Sequence, residues 1–147
     1  MLQKVAILAL LVLPNLSFAA EPTGYWTGRV EMDFSKLPAK DRKRAESILP
    51  KIKLVLTFSK NQTYTSKISG SPDGKDHVSS GKWSQKGNAV TLTVVTMDSK
   101  PATNKSPQTF NISRDGKTMT FVMRPDGGGG KATTTGPSAK VVLKKIG

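Results

Sequence analysis

Short stretches in which apolar and polar residues alternate, each closed by turn residues, occupy nearly all of the chain after residue 24. In residues 25–34, Trp26, Gly28, Val30, Met32 and Phe34 share one face, and Thr27, Arg29, Glu31 and Asp33 share the other. Period-two alternation puts one face of a strand against a core and leaves the other in water. The pattern returns with Leu54, Leu56 and Phe58 in residues 51–59, and with Tyr64, Ser66 and Ile68 in residues 62–69. It continues with Gly81 and Trp83 in residues 77–85, and with Val90, Leu92 and Val94 in residues 89–98. The last three stretches are residues 108–114 with Phe110 and Ile112, 117–124 with Met119, Phe121 and Met123, and 139–145 with Ala139, Val141 and Leu143.

The breaks between them are turns by chemistry. Lys60-Asn61, Lys86-Gly87-Asn88 and Asp115-Gly116 suit tight hairpins, and residues 70–76, Gly-Ser-Pro-Asp-Gly-Lys-Asp, are turn formers throughout. Gly28 inside the first strand suggests a bulge or a close backbone crossing. Between the first two strands the period changes. Pro38 suits a first helical turn, Asp41 suits the helix dipole, and Ala45, Ile48, Leu49 and Ile52 recur at helical spacing until Pro50 stops the run. One short helix is expected over residues 39–49, its apolar stripe on the sheet and Lys40, Arg42, Lys43 and Arg44 on the opposite face. The expected fold is all-β: a single antiparallel up-and-down barrel of about eight strands, its final strand closing on the first.

The start of the chain reads as a secretory signal. Lys4 supplies a positive n-region, Val5 to Leu13 is an apolar run, and Ser17-Phe18-Ala19 places small residues at −3 and −1. Cleavage after Ala19 is expected, leaving residues 20–147 as one domain exported to the periplasm or the extracellular space. No later apolar run is long enough to span a bilayer. The chain has no cysteine, which excludes a disulfide scaffold, a zinc–thiolate centre and a thiol nucleophile.

Net charge is +13, and the loss of Lys4 with the signal leaves +12. Such an excess favours anionic surroundings. Export argues against nucleic acid as the partner, and no aromatic interleaves the basic cluster of Lys36, Lys40, Arg42, Lys43, Arg44, Lys51 and Lys53, as stacking on single strands would require. That cluster is either a solvated face or a docking surface for an anionic envelope.

Several motifs resemble those of lipocalin-like (calycin) β-barrels of the small exported bacterial kind. They are Gly24-Tyr25-Trp26-Thr27-Gly28, the run from Leu54 to Tyr64, Ser80-Gly81-Lys82-Trp83-Ser84, Gly87-Asn88-Ala89-Val90-Thr91-Leu92, and the run from Asp115 to Phe121. The resemblance implies that Trp26 plugs one end of the barrel and that the other end is a mouth for an apolar ligand. It also implies an arginine over the plugging tryptophan, for which Arg124 is the nearest candidate. The helix between the first and second strands departs from the typical lipocalin and is closer to the intracellular fatty-acid carriers.

Trp26, Phe58, Tyr64, Trp83, Phe110 and Phe121 mostly share inward faces and are the candidate ligand-binding residues of the interior. A barrel of this size is either filled by side chains or holds one small ligand, and the sequence leaves both open. Lys40, Arg42, Lys43 and Arg44 are the candidate anion-binding residues. His77 is the sole histidine and stands near Asp73 and Asp76. A polar turn explains it more simply than a metal or proton-transfer site, because metal centres need three or four converging ligands. Gly127 to Gly130 before Lys131 lacks the serine or threonine and the strand–helix context of a phosphate loop. No catalytic residue, metal or cofactor is assigned, and a monomeric, non-enzymatic protein is expected.

Overall fold

The computed structural model describes residues 19–123 and 139–147. The apolar leader, Arg124 and the glycine run at 127–130 lie outside the described residues. The elements are β1 (Gly24–Met32), a 3-10 turn (Phe34–Lys36), α1 (Ala39–Ile48), a second 3-10 turn (Leu49–Lys51), β2 (Lys53–Phe58), β3 (Thr63–Ser69) and β4 (His77–Lys86). They continue with β5 (Ala89–Met97), the two-residue β6 (Lys100–Pro101), β7 (Gln108–Ile112), β8 (Thr118–Met123) and β9 (Ala139–Ile146).

All pairings are antiparallel and join strands consecutive in the chain, except that β7 pairs with β5 and not with β6, and β9 also closes on β1. β9 returns to β1 from Tyr25 opposite Ile146 through Met32 opposite Ala139. β6 is a hairpin return on the end of β5 and lies outside the ring. Eight strands therefore form a closed up-and-down barrel, as the alternation predicts, with a helix between the first and second. Closure removes the unpaired edges that an open sheet would expose.

Two local departures from strict alternation have physical causes. β1 stops at Met32 because the Asp33 carboxylate accepts the Ser35 N–H and turns the chain, which places Phe34 in the 3-10 turn instead of the strand. β5 contains a bulge: Gly81 faces Val94 while Ser80 faces Thr96, so Val95 has no partner and stands exposed. The sequence shows β5 as apolar on both faces, and the bulge is where the second face turns outward.

The core lies at one end, here called the base. Trp26 is fully buried, and its indole N–H donates to the Pro22 carbonyl at 2.7 Å. The segment before β1 crosses under the barrel: Pro22 is buried, Ala20 packs on the core, and the Gln85 amide donates to the Ala20 carbonyl at 2.7 Å. Trp83 donates its indole N–H to Ser59 at 3.0 Å, and its ring meets Phe58 edge-on at 6.1 Å between centroids. Both buried indoles therefore have partners, as burial of that polar N–H requires.

Among the described residues, the cation over the plugging tryptophan is Lys145, with Nζ 5.7 Å from the Trp26 ring centroid; Arg124 lies outside the described residues. Lys145 sits opposite Trp26 in the β1–β9 ladder and continues the inward series Ala139, Val141, Leu143 by one further step. A cation over an indole face is favourable by ~0.5–2 kcal/mol.

α1 begins at Ala39 and ends at Ile48, and Pro50 tightens the next turn into a 3-10 turn. Ala45, Ile48, Leu49 and Ile52 are half-buried, so the apolar stripe rests on the rest of the protein without entering the core. Lys40, Lys43 and Arg44 are exposed. Arg42 differs from them: it is half-buried, and its Nη2 donates to the Ser35 and Leu37 carbonyls at 3.3 Å each.

Candidate functional site

Burial changes along the barrel axis. Near the base, the inward residues Trp26, Leu56, Phe58, Trp83, Leu92 and Leu143 are buried and pack into one cluster with their neighbours. At the other end, the mouth, the inward residues Val30, Leu54, Ile68 and Phe121 are each partly exposed. Val30, Leu54 and Phe121 rest on the buried cluster from above and form its upper surface. The base is solid; at the mouth end Val141, opposite Val30, and Ala139, opposite Met32, are buried too, so the partial exposure there lies on Val30, Leu54, Ile68 and Phe121.

The two walls of the mouth differ in chemistry. β1, β2 and β8 contribute Val30, Leu54 and Phe121. β3, next to β2, and β4 contribute Ser66 and Ser79, whose hydroxyls are 2.6 Å apart. Burial raises the Tyr64 pKa, partly offset by the Ser79 hydroxyl, so the phenol stays protonated and able to donate. Apolar side chains beside converging hydroxyls are the usual composition of a small-molecule site, where burial supplies affinity and a few polar groups supply orientation.

Of the aromatics singled out from the sequence, Trp26, Phe58, Tyr64, Trp83 and Phe110 are buried, and only Phe121 reaches the mouth. Phe121 stacks at 5.1 Å on Phe110 below it. Val30, Leu54, Ile68, Ser66 and Ser79 were not singled out. One signal was available: Ser66 shares a face with Tyr64 and Ile68, and a hydroxyl on a core-facing position asks for a partner or for water.

A shallow cleft of ≈ 420 Å³ lies beside the mouth, lined by Glu31, Met32, Asp33, Val122, Ala139 and Lys140. A larger surface cleft of ≈ 710 Å³ under the base brings Lys117, Lys144 and Lys145 together with Glu21 and Asp115. Three cations there meet two side-chain carboxylates, so the cleft keeps a modest positive excess.

The mouth rim carries an ionic group that the sequence only half reveals. His77, the first residue of β4, places Nε2 2.7 Å from Asp73 Oδ2 and Nδ1 2.9 Å from Asp98 Oδ2. Asp76, adjacent in sequence, instead pairs with Lys67 at 2.9 Å. The hydrogen bonds to Asp98 and Asp73 and the charge of those carboxylates raise the His77 pKa. Asp98 is lowered chiefly by its bond to His77, and Asp73 chiefly by accepting the Lys75 N–H. The two carboxylates lie on opposite ring nitrogens, so they cannot converge with the imidazole on one ion. Among the described residues no group of three His, Asp or Glu side chains is arranged to hold a metal.

No protein-family model matches the chain, and no curated protein is significantly similar to it. The arrangement of the mouth is thus the main source for a functional reading.

Positive charge on the outer surface is largely unpaired among the described residues. Among the described Lys and Arg residues, only Arg29 and Lys140, both on Glu31, and Lys67 on Asp76 come within ion-pair distance of an acidic side chain. Among the described residues no helix is long and apolar enough to cross a membrane.

Proposed function

We propose that this is an exported, non-enzymatic binding protein of lipocalin-like type that takes a small amphipathic molecule at the barrel mouth. The observation that carries the reading is the partial exposure of the inward apolar residues Val30, Leu54, Ile68 and Phe121 beside the buried aromatic cluster. The apolar part of the ligand lies on those side chains, and its polar part meets the hydroxyls of Ser66 and Ser79. The closed barrel of eight strands and Trp26 in the base support the lipocalin-like assignment, with Lys145 over the indole where the resemblance implies an arginine. The leader pattern in residues 1–19 supports export.

Filling the mouth tests the reading without touching the base. Ile68→Trp puts an indole into the space the ligand would use. Dodecanoate, a 12-carbon carboxylate, should bind the wild type in calorimetry and fail to bind Ile68→Trp, whose thermal transition should stay close to wild type. Mass spectrometry of an organic extract of the purified protein provides a second check. An empty extract together with no dodecanoate binding by the wild type contradicts the proposal.

Lys40, Lys43 and Arg44 on α1 add a positive field beside the mouth, which favours anionic head groups and speeds their encounter. Dodecanoate association should slow as salt rises, since screening shortens to about 8 Å at physiological ionic strength. The triple variant Lys40→Gln, Lys43→Gln, Arg44→Gln should associate slowly at all salt concentrations, with dissociation little changed. A rate indifferent to both salt and the triple substitution would remove the basic helix from the mechanism.

The unpaired cations favour a second reading, in which the exterior holds the protein on an anionic envelope surface. Salt-sensitive binding to anionic vesicles that persists in Ile68→Trp supports it; vesicle binding that ignores salt contradicts it.

A further inference from the structure

We propose that His77, as an imidazolium, is a clasp that holds the 70–76 loop and the turn at Asp98 together at the barrel mouth, and that losing its proton releases the loop. The geometry requires the charged form. A neutral imidazole has one N–H and one lone pair, yet both ring nitrogens lie within hydrogen-bond distance of a carboxylate oxygen, at 2.7 and 2.9 Å. Carboxylates only accept, so both bonds form only when both nitrogens donate.

The two arms of the clasp are not equally anchored, which decides what opens. Asp98 is fixed independently of His77: its Oδ1 accepts the Val78 N–H at 2.8 Å, and its own N–H donates to the Val78 carbonyl at 2.7 Å. Asp98 and Ser99 are both left-handed, at φ 49 and 64, as a tight two-residue hairpin turn requires. Asp73 outside the clasp bonds only within its own loop, accepting the Lys75 N–H at 2.9 Å. Neutral His77 keeps one N–H, and the better-built Asp98 arm retains it. The Asp73 arm then sets a lone pair against a carboxylate, and the loop lets go.

The charged groups around the imidazole come from each neighbouring element. Asp73 belongs to the loop and Asp98 to the turn; Lys75 stands by Asp73 and Lys100 by Asp98. β3 places uncharged Ile68 opposite His77, with the Lys67–Asp76 pair one residue on. Carboxylates thus dominate the direct contacts. The imidazole pKa is raised, so the clasp is complete below histidine's ordinary value and is lost as pH rises through the raised one. The carboxylate values are lowered, so acid opens the clasp only as pH falls through them. The loop borders the Ile68, Ser66 and Ser79 wall. If the mouth binds ligand as proposed above, and on that reading alone, the clasp gates ligand exchange.

His77 is the sole histidine, so its ring resonances in an NMR pH titration need no assignment. The midpoint should lie above the ordinary value of about 6.5 in the wild type and move down in both Asp73→Asn and Asp98→Asn. Amide-exchange protection of Gly74 should fall severalfold as the ring deprotonates. In His77→Gln, which can still donate one N–H, protection should be low and independent of that titration. A midpoint at or below the ordinary value, or Gly74 protection that does not follow it, would overturn the clasp. Both readouts are made without ligand, so a failed clasp is distinguishable from a mouth that binds nothing.

Discussion

Trp26→Ala is expected to destabilise the protein by about 3–5 kcal/mol, the range for emptying a buried large aromatic site. Trp26 is 0% exposed and belongs to the core cluster. Three further losses act in the same direction. The Pro22 carbonyl loses its 2.7 Å donor, worth ~1 kcal/mol net. Lys145 loses the ring beneath it, and the crossing segment that carries Pro22 and Ala20 loses its main anchor. Since a domain of this size has only ~5–15 kcal/mol in total, urea unfolding should show a large drop in midpoint with an unchanged slope. A loss below about 1 kcal/mol would mean that the base is not packed around this indole.

Gly81→Val is the second large effect and acts on closure instead of filling. A Cβ at Gly81 would run into the Thr93 backbone carbonyl across the β4–β5 ladder and touch the Tyr64 ring. Backbone has no rotamer to yield, so β4 and β5 must separate at the bulge where they already change register. The cost should reach or exceed the top of the ~1–3 kcal/mol range for overpacking. The damage should also be local: exchange protection should fall first along Gly81–Trp83 and Leu92–Val94. Gly74, whose added Cβ would meet nothing within 4 Å, is the control, although its φ of +71 still disfavours a side chain. A Gly81→Val protein as stable as wild type would contradict the close approach of these two strands.

Strand identity and order were legible because each strand carries its own alternation and each hairpin its own turn chemistry. Gly28 also had a readable meaning: a Cβ there would collide with Val142 and Leu143, the close crossing expected where β1 meets β9. Height along the barrel was not legible. Period two separates inside from outside but does not say how far from the mouth a residue sits, so Trp26 and Phe121 look alike in sequence while one is buried and the other reaches solvent. Height depends on strand tilt and on register across the β1–β9 closure, which are properties of the closed sheet. The same non-local fact hid Lys145, whose partner lies more than a hundred residues earlier at Trp26. It also hid Asp98, which reaches His77 only because the β4–β5 hairpin folds back on itself. Arg42 was misread for a local reason: helical spacing placed it with Lys40, Lys43 and Arg44, but the 3-10 turn before α1 offers it two free carbonyls.

A methyl-NMR titration with dodecanoate tests most directly the idea of a solid base beneath a receptive mouth. Signals of Val30, Leu54 and Ile68 should shift and saturate together, while those of Val90 and Leu143 stay in place. No saturable shift in the first set, or equal shifts in both, would contradict it.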